Sequence, residues 1–347
     1  MNKLKKIGLS ALAGSLAMTT ANAVDYVVTG DAAMNYTGES ANTSSGNGDA
    51  FNLDTSLYFD ASGSLDNGWD VSFSMDWDNE SGTVSNSSTQ AAVTMGSMGT
   101  IQINQIGGSA ANAIDDKMPS AYEEAYGMGA LSDGTSNVGG DAGFFGSSTN
   151  SGSIQYTAPT LEAAGASVTA SVGLDPAANT AGASYKGTKG GEKGMFYTVV
   201  IKHESGLELG AGLEDIETNG NIGTAAGREA KDEESVTGYA KYGMGPITVG
   251  IQESYQDTLD GGGDLEASMW GVAYTAGDLS VSYGETETVQ KVVSGNSRTT
   301  DADAIAVSYT MGSMTIQAQK SEQARSVAGT AGSTTLDETG IKVKFAF

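Results

Sequence analysis

Segments in which apolar and polar residues alternate recur along almost the whole chain. One of them, Phe51–Asp60, reads FNLDTSLYFD, with phenylalanine and leucine on one side and aspartate, asparagine and serine on the other. Trp69–Asp78 repeats the alternation, and the residues between the two segments, SGSLDNG, favour a turn. A period of two residues is typical of a β-strand with one apolar face. The two segments therefore predict a β-hairpin.

The connections between such segments alternate in length. Tight turns are predicted at Ser62–Gly68, Gly96–Gly99, Ala158–Gly165, Glu204–Gly206, Gly243–Pro246, Ala276–Asp278 and Gly312–Ser313. Longer polar loops are predicted at 37–50, 79–89, 107–150, 175–193, 215–234, 258–263, 288–300 and 324–335. Short turns at one end of the strands and long loops at the other are typical of outer-membrane barrels. The pattern predicts about sixteen strands, and it leaves the register of 236–242 and 265–274 ambiguous.

Charged residues stand in the middle of several predicted strands, opposite the apolar faces. A water-filled lumen tolerates such charges, whereas a dry core does not. In lipid every backbone polar group must bond within the protein, so a membrane-spanning all-β chain must close into a barrel. The predicted fold class is therefore all-β, a transmembrane antiparallel β-barrel of about sixteen strands that encloses an aqueous channel. The residues predicted to line the pore are Asp54, Asp70, Asp76, Glu208, Lys342 and Lys344.

The stretch Gly107–Asn150 has no period-two pattern and is the longest insert in the chain. It carries two acidic pairs, Asp115-Asp116 and Glu123-Glu124, on either side of Lys117. Inserts of this length inside a compact domain are usually functional or disordered. Methionine, proline and tyrosine among the acids favour an ordered segment packed on a wall, and a solvated loop tip is the alternative. We expect this third long loop to fold into the barrel and narrow it.

The first residues predict export. Three lysines precede an apolar run at 7–18, which is too short to span a bilayer, and Ala21-Asn22-Ala23 is a small-residue cleavage site. We therefore expect residues 1–23 to be a signal peptide, and residues 24–347 to form one outer-membrane β-barrel domain.

The chain is strongly acidic, with 17 basic and 42 acidic residues, and it has no cysteine. This composition argues against nucleic acid as a partner and favours cations. The single histidine, His203, cannot build a metal cage without further histidine or cysteine ligands. We therefore expect no cofactor, with calcium as a weaker alternative. Oxygen ligands suited to calcium occur at Asp76, Asp78, Asn79, Glu80, Asp301 and Asp303, although a lumen face that runs into a wet loop explains them better.

With these features together, the chain resembles the Gram-negative general porins, in particular their alphaproteobacterial branch. The signal peptide, the sixteen-strand pattern, the long third loop with paired acids and the terminal Phe347 of IKVKFAF carry the resemblance. It implies a homotrimer in the outer membrane, in contact with its lipid, and makes Phe347 an assembly signal.

The resemblance also implies a pore constriction formed by the third loop, whose acids face a basic cluster on the barrel wall. The residues at the corresponding positions are Asp115, Asp116, Lys117, Glu123 and Glu124. The chain departs from the family in its wall arginines, since Arg228, Arg298 and Arg325 all fall in predicted loops. The lysines that could replace such arginines are Lys202, Lys241, Lys320, Lys342 and Lys344.

The function predicted is passive diffusion of small hydrophilic solutes and ions across the outer membrane, with a preference for cations. No enzyme activity is expected. A secreted, acidic, calcium-binding β adhesin or surface-structural protein is the alternative, but it would need a short fixed repeat that the chain lacks. A barrel-embedded hydrolase would need a serine–histidine pair on the long-loop side, and His203 lies on the turn side.

Overall fold

The computed structural model describes residues 25–42, 47–80, 83–105, 107–115, 117–125, 152–176, 193–217, 233–257, 264–291, 296–330 and 332–347. These residues form one antiparallel sheet of 17 strands. In chain order the strands are β1 (Asp25–Ala41), β2 (Gly48–Ser64), β3 (Asp70–Glu80), β4 (Thr83–Thr94), β5 (Thr100–Gln105), β6 (Ser153–Thr157), β7 (Leu161–Ala163), β8 (Ala166–Asp175), β9 (Gly194–His203), β10 (Leu207–Ile216), β11 (Glu233–Met244), β12 (Ile247–Asp257), β13 (Asp264–Ala276), β14 (Leu279–Lys291), β15 (Arg298–Met311), β16 (Met314–Val327) and β17 (Ser333–Ala346). The expected signal peptide lies outside the described residues and stays a prediction.

The sheet closes on itself because the first strand pairs with the last. β1 pairs with β2 on one side and with β17 on the other, in a register that runs from Asp31 opposite Ala346 to Ala41 opposite Leu336. The seam ends in a reciprocal pair of backbone hydrogen bonds between Gly30 and Phe347, at 2.8 and 2.9 Å. The predicted closure of the chain into a barrel is confirmed.

Two of the 17 strands share one place in the ring. β6 and β7 both pair with β8, at Thr157 opposite Ser171 and at Leu161 opposite Val168. Pro159 lies between β6 and β7 and has no N–H to donate to a neighbouring strand. The barrel therefore has the sixteen places that the alternation predicts, and the expected turn at 158–165 is a break followed by a tight turn at Ala164-Gly165.

The two faces of the strands differ in the way a membrane barrel requires. Along β10, leucines 207, 209 and 213 are exposed, whereas Gly210, Gly212 and Glu214 between them are buried. Large apolar side chains such as Ile251, Trp270 and Ile305 are 41–59% exposed on the outside. Buried side chains include glutamine, serine, threonine and glutamate, so the interior is polar. Among the described residues, no helix is long and apolar enough to span a bilayer.

Most predicted connections are confirmed, but several strands extend further than expected. Gly245, Gly277 and Gly312 have φ values near +59° at the first central position of two-residue turns, which suits β-hairpins. The predicted loop 79–89 is wrong, because β3 continues to Glu80 and β4 begins at Thr83. β4 reads TVSNSSTQAAVT, and its loop-side half has a single apolar residue, Val84, so alternation cannot reveal it.

Candidate channel interior

The long insert lies against the inner, polar face of the wall over its described part, 107–115 and 117–125. It begins beside β5 and β6, where Gln102 Nε2 donates to Gly108 O at 2.9 Å and the Ala110 N–H donates to Gln155 Oε1 at 2.7 Å. Ala111 and Ile114 then pack on Phe196 of β9 and Tyr239 of β11. From there the segment follows the interior of β12 to β16.

Two buried wall glutamines hold the segment. Gln252 Oε1 accepts the Lys117 N–H at 3.0 Å, while its Nε2 donates to Ile114 O at 3.2 Å and to Asp115 O. Gln319 acts in the same way, accepting the Glu123 N–H at 2.9 Å and donating to Glu124 O at 3.2 Å. Each side-chain amide thus satisfies both a donor and an acceptor of the segment backbone, as a neighbouring strand would.

Small wall residues allow the segment to approach closely. A Cβ on Gly250 would lie 2.8 Å from Pro119 Cδ, and one on Gly271 would lie 3.1 Å from Pro119 O. Further along, Ala125 is buried against alanines of β13 and β15. The members of this apolar cluster on the wall are Ala267, Met269, Ala302 and Ala304. The segment is therefore seated in a groove formed by glycine and alanine.

The predicted constriction residues divide into several environments. Asp115 ends a short 3-10 helix at 112–114 and is half-buried, and Asp116 lies outside the described residues. Glu123 is half-buried beside β16. Glu124 Oε1 accepts the Met118 N–H at 3.0 Å, so this carboxylate stabilises the segment itself. The acids do not form one cluster among the residues that the structure describes.

Lysines gather at the wall of β9 to β11 around a single glutamate. Glu208 lies 3.8 Å from Lys202 Nζ and 3.9 Å from Lys241 Nζ, and it accepts the Tyr239 hydroxyl at 2.8 Å. The Lys117 ammonium lies 5.9 Å from the centre of the Tyr239 ring, which is within cation–π range. The predicted pore-lining Glu208 is therefore at the centre of a net positive cluster, to which the segment contributes one lysine.

Aspartates gather on the opposite wall. In a ring of sixteen places, β2 and β11 lie eight places apart in either direction. The register puts Asp54 and Asp60 of β2 on the same face as Asp76 and Asp78 of β3, since Tyr58 is opposite Asp76 and Ser56 is opposite Asp78. Asp54 accepts hydrogen bonds from Asn35 and Asn52. Asp70 shares this face but is exposed at the turn end, where it accepts the Ser64 hydroxyl at 2.6 Å.

The two predicted lysines of β17 border this acidic wall. Lys344 Nζ lies 2.8 Å from Asp31 Oδ2, and Lys342 Nζ lies 5.2 Å from the centre of the Tyr122 ring. The pKa of Tyr122 is raised to about 12, mainly because the hydroxyl is partly buried and also because Glu123 and Asp54 place negative charge nearby. The Tyr122 hydroxyl is therefore neutral at physiological pH.

One pair of acidic residues lies on the outer face of the barrel, although it was expected to face the lumen. Ala302 and Ala304 point inward, so Asp301 and Asp303 point outward, and they lie near Glu285 and Glu322. The interpretation of Asp301 and Asp303 as lumen residues is wrong. Lys320 also lies on the outer face, beside Glu322, and is no part of a basic lumen cluster. The alternation could have shown this, because Ile305 and Val307 continue the same face.

A closed, sixteen-place barrel with an apolar exterior, a polar interior and an internal segment defines a membrane channel. A family model described as Gram-negative porin matches residues 8–346. The chain therefore belongs to the Gram-negative porins, and it is a channel of the outer membrane. No curated protein matches the chain.

Solved porin structures share this fold. The anion-selective porin from Comamonas acidovorans has a TM-score of 0.65 at 13% identity, over 94% of this chain and 100% of that one. The trimer form of OmpT from Vibrio cholerae gives 0.64 at 12% identity, over 94% and 100%. OmpF of Salmonella typhi, in complex with daunomycin, gives 0.65 at 11% identity, over 94% and 98%. At these identities the likeness concerns the fold, and the sign of ion selectivity must be argued from this chain's own residues.

Proposed function

We propose that this porin is a passive diffusion channel for small hydrophilic solutes and ions that favours cations. The observation that carries the proposal is that the segment lies against one part of the inner wall, whereas a group of aspartates lies on another part. The described segment lies against β5, β6 and β9 to β16, and the wall of β1 to β3 carries Asp31, Asp54, Asp60, Asp76 and Asp78. We expect solutes that pass the segment to move along this acidic wall.

The field of this wall favours cations. Fixed carboxylates beside an aqueous path of restricted width raise the local concentration of cations and lower that of anions. Lys344 is paired with Asp31 and its charge also acts on Asp78 of β3, while Lys342 is turned toward Tyr122. Even with both lysines counted against the five aspartates, the wall of β1 to β3 keeps an excess of three negative charges. Glu124 is bonded within the segment, which reduces its share in the selectivity. The proposed transport needs no covalent chemistry and no cofactor.

The test compares two triple variants that remove equal charge. The inner variant carries asparagine in place of Asp60, Asp76 and Asp78 on the inner wall. The outer variant carries asparagine in place of Asp301, Asp303 and Asp337 on the outer face. Reversal potentials in planar bilayers under a salt gradient give the permeability ratio of cation to anion. We expect the inner variant to lower this ratio at least about twofold, and the outer variant to leave it unchanged.

Three results would contradict the proposal. They are anion selectivity of the unaltered protein, an unchanged ratio in the inner variant, and equal losses in both variants. Heat-dependent migration on gels verifies that each variant is folded before it is measured.

We infer further that three copies assemble in the outer membrane. One similar structure, the Vibrio cholerae OmpT named above, is described as a trimer form. The wide apolar exterior offers surface both to lipid and to neighbouring copies. Migration as a heat-sensitive trimer is the corresponding observation.

A further inference from the structure

Two glutamates face each other where the barrel closes. Glu39 of β1 is directly opposite Glu338 of β17, at the loop-side end of the seam. Both lie on the inner face, because this face continues through Asn35 and Lys342. Glu338 is 1% exposed, and Glu39 is half-buried.

The buried carboxylate lacks a partner that would neutralise it. Among the described residues, Glu338 Oε1 is buried and has no hydrogen-bond partner, and Glu338 Oε2 lies 3.5 Å from the Ser321 hydroxyl. The Glu39 carboxyl is its other neighbour, so that two acceptor groups meet with no donor between them. A buried charge without a counter-charge is costly. The pair therefore needs either a shared proton or a bound cation between its carboxylates.

The nearest basic side chains are engaged elsewhere. On the inner faces of β16 and β17, Arg325 and Lys342 are each four residues away from the pair, in opposite directions along the barrel. Arg325 Nε donates to the Thr300 hydroxyl at 3.3 Å, and Lys342 lies over the Tyr122 ring. No ion pair reaches Glu39 or Glu338 within the part of the chain that the structure describes.

We propose that Glu39 and Glu338 bind a divalent cation, with calcium as the favoured ion, and that this ion joins the two terminal strands. Two carboxylates and the Ser321 hydroxyl supply hard oxygen ligands, and water completes the coordination sphere, as calcium sites allow. The described residues leave space beside Glu39, because its neighbour on β2 is Gly48, where an added Cβ would meet none of their atoms within 4 Å. The site goes beyond diffusion through the pore, since it acts on closure of the barrel.

The test is a calcium titration of the refolded full-length barrel after treatment with EDTA. Calorimetry is expected to detect a site that is lost in Glu338→Gln and in Glu39→Gln. An ion bound only to the folded barrel raises its melting temperature, and we expect a rise of about 5 °C at saturating calcium. Asp337→Asn, which removes an outward-facing carboxylate from the neighbouring position of β17, should keep both effects.

The variants also separate loss of the site from loss of folding. Glu338→Gln removes repulsion between the carboxylates, so in EDTA it should melt at least as high as the unaltered protein, with no further rise on adding calcium. A calcium response in Glu338→Gln equal to that of the unaltered protein overturns the proposal. So does an unaltered protein that responds to pH but not to calcium, because a shared proton would then lie between the carboxylates.

Discussion

At the scale of single residues, the interior depends on side-chain amides that have no signature in the sequence. Gln252 and Gln319 bind residues 135 and 196 positions away in the chain. Gln90 of β4 also faces inward, but it bonds to Ser74 and Ser88 of the wall. Alternation predicts which side chains share a face, but not which of them meet a segment that arrives from elsewhere. The loop acids were therefore visible in the sequence, and the wall residues that hold the loop were not.

Replacement of Gln319 by leucine should loosen the segment. The change leaves the Glu123 N–H and the Glu124 carbonyl without their partner, at a cost of about 1–3 kcal/mol for each buried group. Water in the lumen offsets part of this, so we expect about 1.5 kcal/mol and roughly tenfold faster amide hydrogen exchange in residues 117–125. Gln105→Leu, on the outer face, is the control. Unchanged exchange in Gln319→Leu would show that packing on the alanines is sufficient to hold the segment.

At the scale of strands, alternation in the sequence reveals a strand that faces lipid but not a strand that meets water on both faces. The alternation in IKVKFAF indicates a strand because Ile341, Val343 and Phe345 must face the bilayer, and in the structure this strand is β17, which pairs with β1. The loop-side half of β4 has one apolar residue, Val84, and no apolar face, so the sequence predicts a loop there. The prediction of about sixteen strands follows from alternation together with the turns and loops between the segments, since each lipid-facing strand must present one apolar face.

The end of β17 should matter for assembly in two separable ways. Deletion of Phe347 removes both hydrogen bonds to Gly30, so that closure of the barrel is weakened in any environment. Phe347→Ala keeps those bonds and removes only a ring that is 76% exposed. We expect the deletion to lower the yield of heat-sensitive trimer both in cells and on refolding in detergent. The alanine variant should lower it only in cells, as expected if the resemblance to porins correctly makes Phe347 an assembly signal. Normal yields of both variants in cells would contradict this role.

At the scale of the whole molecule, the position of each charge matters more for ion selectivity than the net charge does. The acidity of the sequence predicts cation preference, but Asp301 and Asp303 contribute to that acidity from outside the barrel. The lysines of β9 to β11 and the aspartates of β1 to β3 occupy opposite walls, an arrangement that only the closed ring establishes. Composition could not predict it, because strands that are distant in the sequence become opposite only after closure.

Selectivity that arises from wall charges should weaken as salt is added. The screening length falls from about 10 Å at 0.1 M to about 3 Å at 1 M salt, so the wall aspartates then act over only part of the lumen. We expect the cation-to-anion permeability ratio of the unaltered protein to fall severalfold between these concentrations. Reversal potentials at a fixed concentration gradient measure it. A ratio that does not change with salt would indicate selection by direct coordination of ions.

The glycine and alanine groove beneath the segment has a consequence for how such channels diversify. The width of the channel depends on how closely the segment approaches the wall. That distance is set by the small residues beneath the segment, Gly250, Gly271, Ala302 and Ala304. A larger residue at one of these positions would push the segment away from the wall, toward the centre of the lumen, without altering any group that a passing solute meets. Size exclusion and charge preference can therefore evolve independently, through substitutions at different positions.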